Sequence, residues 1–175
     1  MPKIICMRYA IEEIEDLSGN ACHIYSLREE GSENSLFDDF VVENADLYGD
    51  EVIDIYNRLK YIGNEGGARE GYFKLHEGKP GDGIVALYDK PESKLRLYCI
   101  RYGMVTLIVG DGGAKPKNVR AWQEVPELEK SVKYLMMISN KVKEAIKEKS
   151  IRFTEDGKLI GELTITDDED YEQEY

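Results

Sequence analysis

No stretch of the chain approaches the ~20 consecutive apolar residues that a membrane-spanning helix needs. The first ten residues also lack the charged-then-apolar pattern of a secretory signal. These absences predict a cytoplasmic protein with no membrane partner. Cysteine is scarce: Cys6, Cys22 and Cys99 are odd in number, widely spaced and without a CxxC pair. That excludes a disulfide framework and predicts reduced thiols. The only histidines are His23 and His76, and neither lies at ligand spacing from a cysteine or from the other. No zinc site is expected, and no metal or cofactor. Phosphate-loop signatures are missing too. Gly78-x-x-Gly81-x-Gly83 has the wrong spacing for a dinucleotide fingerprint and precedes a strand instead of following one, and no GxxxxGK[ST] occurs. Base is in deficit, with 23 Lys and Arg against 35 Asp and Glu and a net charge of −12. A general nucleic-acid binder would be basic.

What is present is organised around residues 83–117. Three apolar runs, 84–88, 95–100 and 104–109, have strand length and are rich in Val, Ile, Leu and Tyr. Their short connections force antiparallel neighbours, so the stretch predicts a three-stranded meander.

The remaining chain supplies what packs on it. Residues 3–13 and 21–28 read as a hairpin about the turn Ser18-Gly19-Asn20. Ser32 or Asn34 is placed to cap a helix start, and Leu36, Phe37, Phe40, Val41 and Ala45 recur at helical spacing. Tyr48-Gly49-Asp50 breaks that run, and Val52, Ile53, Tyr56 and Leu59 form a second stripe ending at Gly63. Two helices in an antiparallel hairpin, within 36–45 and 52–62, are expected to cover one sheet face. Residues 72–76 alternate like an edge strand. Pro126 opens a long helix over about 127–149, with Leu128, Val132, Leu135, Ile138, Val142 and Ile146 on its buried side. Runs 151–153 and 159–165 flank Asp156-Gly157, which predicts a C-terminal hairpin. Strands and helices are segregated, so the class is α+β. One domain over 1–166 is expected, and the acidic tail 167–175, with six acids and no base, is expected to be disordered.

Charge is uneven. Between Lys60 and Gln123 stand eleven Lys or Arg and seven Asp or Glu, a local +4 inside an acidic protein. Arg96 and Tyr98 are two apart on the middle strand and share a face. Arg101 follows them, and Lys115, Lys117 and Arg120 follow the third strand. An Arg and Tyr face rimmed by Lys can hold a phosphodiester and stack a base. A half-polar sheet face with snorkelling stems is the structural alternative. Gly110-Asp111-Gly112-Gly113 is either a backbone phosphate cradle or a flexible strand exit. His76 reads as a surface residue at a strand edge ahead of a general base.

The order of elements resembles the RelE/HigB toxins of bacterial type II toxin–antitoxin systems, including their phage-associated HigB-like branch. The resemblance rests on Lys94-Leu95-Arg96-Leu97-Tyr98-Cys99-Ile100, a turn, and Val105-Thr106-Leu107-Ile108-Val109, followed by Lys115-Pro116-Lys117 and the Pro126 helix. It spans roughly residues 21–149. It implies a RelE-like fold, with a helical hairpin on a central antiparallel meander sheet, a long C-terminal helix and a hairpin extension. It also implies a metal-independent endoribonuclease acting on mRNA, on the ribosome or free, and neutralised by a cognate antitoxin protein. Arg96, Lys115 and Lys117 would be catalytic, and Tyr98, Arg101 and Arg120 would bind RNA. The chain departs from the family in its acidity and length. It also lacks the Phe before the Lys pair, which Pro116 splits, and a Glu-x-Arg pattern ahead of Lys94. A non-catalytic protein-binding module of the same fold stays open.

Overall fold

A computed structural model describes residues 7–88, 90–116 and 122–167. Lys117 and Arg120, the first residues of the N-terminal run and tail residues 168–175 lie outside the described residues. The class is α+β, with a mostly antiparallel sheet and two helices. Strands are β1 (Met7–Glu13), β2 (His23–Glu29), β3 (Phe73–Lys74), β4 (Ile84–Leu87), β5 (Leu95–Tyr102), β6 (Thr106–Ala114), β7 (Ile151–Phe153), β8 (Leu159–Gly161) and β9 (Thr164–Asp167). The helices are α1 (Leu36–Tyr61) and α2 (Pro126–Lys147).

Seven strands form one sheet in the order β3-β4-β5-β6-β2-β1-β9. The meander β4-β5-β6 is antiparallel throughout, as is the β1–β2 hairpin. Among the described residues, only β2 and β6 pair in parallel. Side chains alternate across the sheet and feed two cores. Ile24, Phe37, Phe40, Leu59, Leu97 and Val109 pack between α1 and one face. Tyr25, Leu27, Tyr98, Ile100, Val132 and Leu135 pack beneath α2 on the other. Each fully buried Leu, Ile or Phe contributes about 1.5–3 kcal/mol, so both layers are strongly held. No helix among the described residues is long and apolar enough to cross a membrane.

Several local expectations change. The two expected helices are one element, α1, with non-helical dihedrals only at Tyr48 (φ −133°, ψ 37°). A single residue suffices to bend the axis, so a kink and not a loop joins the halves. The cap is Ser35, not Ser32 or Asn34. Its hydroxyl accepts from the Asp38 N–H, and its own N–H donates to the Asp38 carboxylate, closing a capping box. Glycines 110, 112 and 113 lie inside β6 and not in a loop. The expected partner of 151–153 splits in two. Residues 159–161 pair with β7, while β9 leaves to extend the main sheet beside β1. Asp167, assigned by charge to a disordered tail, ends β9 and is buried.

The β7–β8 hairpin docks on the sheet through polar contacts. The Thr106 hydroxyl donates to the Gly157 carbonyl at 2.5 Å, and the Leu159 N–H donates to the Tyr25 hydroxyl at 2.9 Å. His23 lies between Glu13 (2.6 Å) and Asp156 (3.1 Å). Burial opposes its charge, but the hydrogen bonds to Asp156 and Glu13 outweigh this and raise its pKa above the usual 6.5. The Thr154 hydroxyl and then His23 lower the Asp156 pKa below 3.8. The His23 contribution is fully present below pH 6.5 and is lost as pH rises through the raised value. The Asp156 contribution is present above pH 3.8 and is lost as pH falls through the lowered value. Thermal melts should therefore show strongest docking at mildly acid pH, a declining Tm above neutrality, and a flatter profile in His23→Gln. An unchanged profile in the variant would remove the clasp from the account.

Candidate functional site: a basic groove at one end of the sheet

Arg96 and Tyr98 do share a face, but α2 roofs it. Tyr98 is fully buried beneath α2, so it stacks on no base. Arg96 lies further toward the start of β5, opposite Gly113, and is 4% exposed. Its Nη1 stands 3.6 Å from the Glu77 carboxylate. Arg101 serves a different part of the molecule. It lies five residues along β5 on the other face, roughly 16 Å away at ~3.3 Å per residue. Its Nε donates to the Ala68 carbonyl at 2.6 Å, and Nη1 approaches Glu70 at 3.8 Å, which ties the loop after α1 to the strand. Of the residues chosen from sequence, Arg96 and Lys115 come together. Tyr98 and Arg101 do not join them.

The glycine-rich end of β6 sets this geometry. Pairing passes from Leu97↔Gly112 to Cys99↔Val109, so Tyr98 faces both Gly110 and Asp111 across a bulge. Gly112 runs against the Arg96 backbone, where an added Cβ would lie 1.8 Å from the Arg96 carbonyl oxygen. Past the bulge, the Lys115 N–H donates to the Lys94 carbonyl at 2.7 Å, which brings Lys115 beside Arg96. On the far edge, Lys74 pairs with Ala86 and Ala86 with Tyr98, so Lys74 shares the Arg96 face.

Two joined clefts open there, of about 610 and 690 Å³. Both are lined by Lys74, Arg96 and Lys115. The first adds His76, Lys79, Trp122 and Lys133; the second adds Tyr88, Lys90 and Lys94. Among the described residues, seven Lys or Arg and two carboxylates, Glu77 and Glu92, line the pair. Arg96 lines both clefts while almost wholly buried, so it forms the floor where they meet. On the other side of α2 the sign reverses. A third cavity, about 460 Å³, is lined by Glu29, Glu43, Asp111 and Glu127 around Lys130. Burial pushes the Asp111 carboxyl up to about 6; the Gly112 N–H opposes this, and Glu43 and Asp39 add to it.

The loop between β3 and β4 forms one wall. Asp82, 7% exposed, accepts from the Lys79 N–H at 2.7 Å and the Ile84 N–H at 3.2 Å. The Ser139 hydroxyl of α2 donates to the Asp82 carbonyl at 2.6 Å, and the Trp122 indole N–H donates to the Glu77 carbonyl at 2.8 Å. His76 opens this loop in the left-handed region at φ 64°. Sequence reading weighed His76 as a general base and preferred a surface position, and it is exposed; Lys79, Lys133 and Trp122 were missed as site residues. The charge window already contained Lys74, Lys79, Lys90 and Lys94. Nothing local marked Lys133, which arrives from α2.

Among the described residues no group of acids, histidines and cysteines is arranged to hold a metal. The arrangement can bind an anion through fixed cations and offers one imidazole beside it.

Asp82→Ala should cost about 1–3 kcal/mol in chemical denaturation, because it strands two backbone N–H groups, with Asp82→Asn costing less. Gly112→Ala should lower stability by about 1–3 kcal/mol or more, since backbone and not a movable side chain opposes the new methyl. Wild-type stability in either alanine variant would mean that the groove wall, or the bulge, is not held as described. No protein-family model, curated protein or solved structure matches this chain.

Proposed function

We propose that the chain is a RelE/HigB-like ribonuclease toxin that binds and cleaves single-stranded mRNA in the basic groove. A cognate antitoxin protein would neutralise it. The observation that carries this reading is the gathering of Lys74, Arg96 and Lys115 around a shared groove floor, with His76 on its wall, in a protein of net charge −12. The order of elements adds support: β2, the kinked helical element α1, the meander β4-β5-β6, then Lys115 and α2. That is the order of the family named above.

In this reading a phosphodiester sits over Arg96. The 2′-hydroxyl attacks its own phosphate, and His76 takes the hydroxyl proton. The 5′-oxygen leaves with a proton from a lysine ammonium or from water, and a 2′,3′-cyclic phosphate remains. Arg96, Lys74 and Lys115 offset the charge that builds on the phosphate, work that needs no metal. Lys117 and Arg120, implied by the resemblance, lie outside the described residues and are not needed for this step.

The buried Arg96–Glu77 pair favours a second reading, a non-catalytic binding module, because a phosphate must share Arg96 with a carboxylate. Induced expression separates the two. A toxin arrests growth and Arg96→Ala relieves the arrest, whereas Arg28→Ala, ion-paired to Glu12, does not. In a cleavage assay with and without ribosomes, His76→Ala should lower the rate by roughly 10²–10⁴. Absence of both RNA binding and cleavage under every condition would move the assignment to the protein-binding module.

A further inference from the structure

We propose that the groove takes one dinucleotide step of a single strand, its linking phosphate over Arg96 and its two bases on Trp122 and Tyr88. This rests on the nucleic-acid reading of the same groove and names the unit it recognises. The two clefts share their cations but not their aromatics. Trp122 lines only the first, and Tyr88 only the second. Both volumes fall within the roughly 300–1,000 Å³ typical of sites that enclose a small molecule. Each cleft also has cations the other lacks, Lys79 and Lys133 in the first and Lys90 and Lys94 in the second. Each aromatic ring therefore shares its cleft with cations of its own as well as with Lys74, Arg96 and Lys115.

Both rings are held for the task. Trp122 is half-buried against the core beneath α2, its indole N–H donates to the Glu77 carbonyl at 2.8 Å, and its remaining surface lines the first cleft. Tyr88 is 53% exposed on a clamped backbone: its N–H donates to the Tyr72 carbonyl at 2.7 Å, and its carbonyl accepts from Arg58. An exposed aromatic on a fixed main chain offers a face on which a base can stack. An acidic peptide would engage the cations but leave both rings idle. A duplex hides its bases from them. A single strand satisfies charges and rings together.

The test uses a fluorescein-labelled uridine tetranucleotide, 2′-O-methylated so that it is not cleaved, and an abasic strand with the same phosphates. Anisotropy titrations should show tighter binding of the tetranucleotide. Trp122→Leu and Tyr88→Leu should each weaken it on the order of 5- to 100-fold and leave abasic binding unchanged. Trp122→Phe, which keeps a ring, should retain most of the affinity. The chain has one tryptophan, so intrinsic fluorescence should respond to the tetranucleotide and not to the abasic strand. Lys115→Ala should weaken both probes and reduce the salt dependence. Equal affinity for the two probes, or leucine variants that bind like wild type, would overturn the dinucleotide step and leave a groove that reads phosphates alone. Failure of wild-type protein to bind either probe would overturn the nucleic-acid reading as well.

Discussion

Both faces of the seven-stranded sheet are covered, by α1 on one side and α2 on the other, and this constraint decides where chemistry can occur. Side chains at mid-strand are buried away from water, so most are Leu, Ile, Val or Tyr, and the polar Ser26 spends its hydroxyl on the Val109 carbonyl. Function is left to the ends of the strands. At one end the β1–β2 turn, the loop after α1 and the β7–β8 hairpin close over the sheet, held by the His23, Thr106 and Arg101 contacts. At the other end β5 begins, β6 ends and α2 starts. That end stays open between β3, β5 and α2, and the groove is there.

Burying Arg96 is costly, since a guanidinium taken from water must be compensated on the spot. Glu77 supplies an opposite charge at 3.6 Å. That distance is long for a charge-assisted hydrogen bond, so the pair acts mainly through its opposite charge. The acidic cavity across α2 sharpens the arrangement. With Glu29, Glu43, Asp111 and Glu127 on one side and seven cations on the other, the field changes sign over the width of one helix. Such a field repels a polyanion at the acidic cavity and attracts it at the basic groove.

The sheet was legible because strand-length apolar runs joined by short turns leave few arrangements, and the meander appears in the expected order. The long helix was legible from Pro126 and its 3.6-residue stripe, all of whose first five members are fully buried. Site residues were harder. The two-residue alternation put Arg96 and Tyr98 on one face correctly but could not say that α2 would cover it, because nothing local encodes which face a distant helix takes. Arg101 resembled Arg96 by spacing and charge, yet strand alternation already set it on the opposite face. His76 closed a short alternation that marked it only as an edge-strand surface residue, and Trp122 gave no periodic signal. They enter the site only when the β3–β4 loop and the segment before α2 meet at the Glu77 carbonyl.

That meeting also explains the backbone at His76. A non-glycine residue in the left-handed region carries strain on the order of 1–3 kcal/mol and persists only where its surroundings over-determine it. Here they do. The Glu77 N–H donates to the Ile84 carbonyl, Asp82 gathers the Lys79 and Ile84 N–H groups, and Ser139 ties Asp82 to α2. Together they hold the loop against the same helix that buries Tyr98, so the packing that fills the core also fixes the His76 backbone beside Arg96. A core that loosens under α2 loosens this loop with it, because the Ser139 hydroxyl ties the loop to the helix. Groove geometry and the packing of α2 on the sheet are therefore one cooperative property, and the strained histidine is the point at which that coupling reaches the groove.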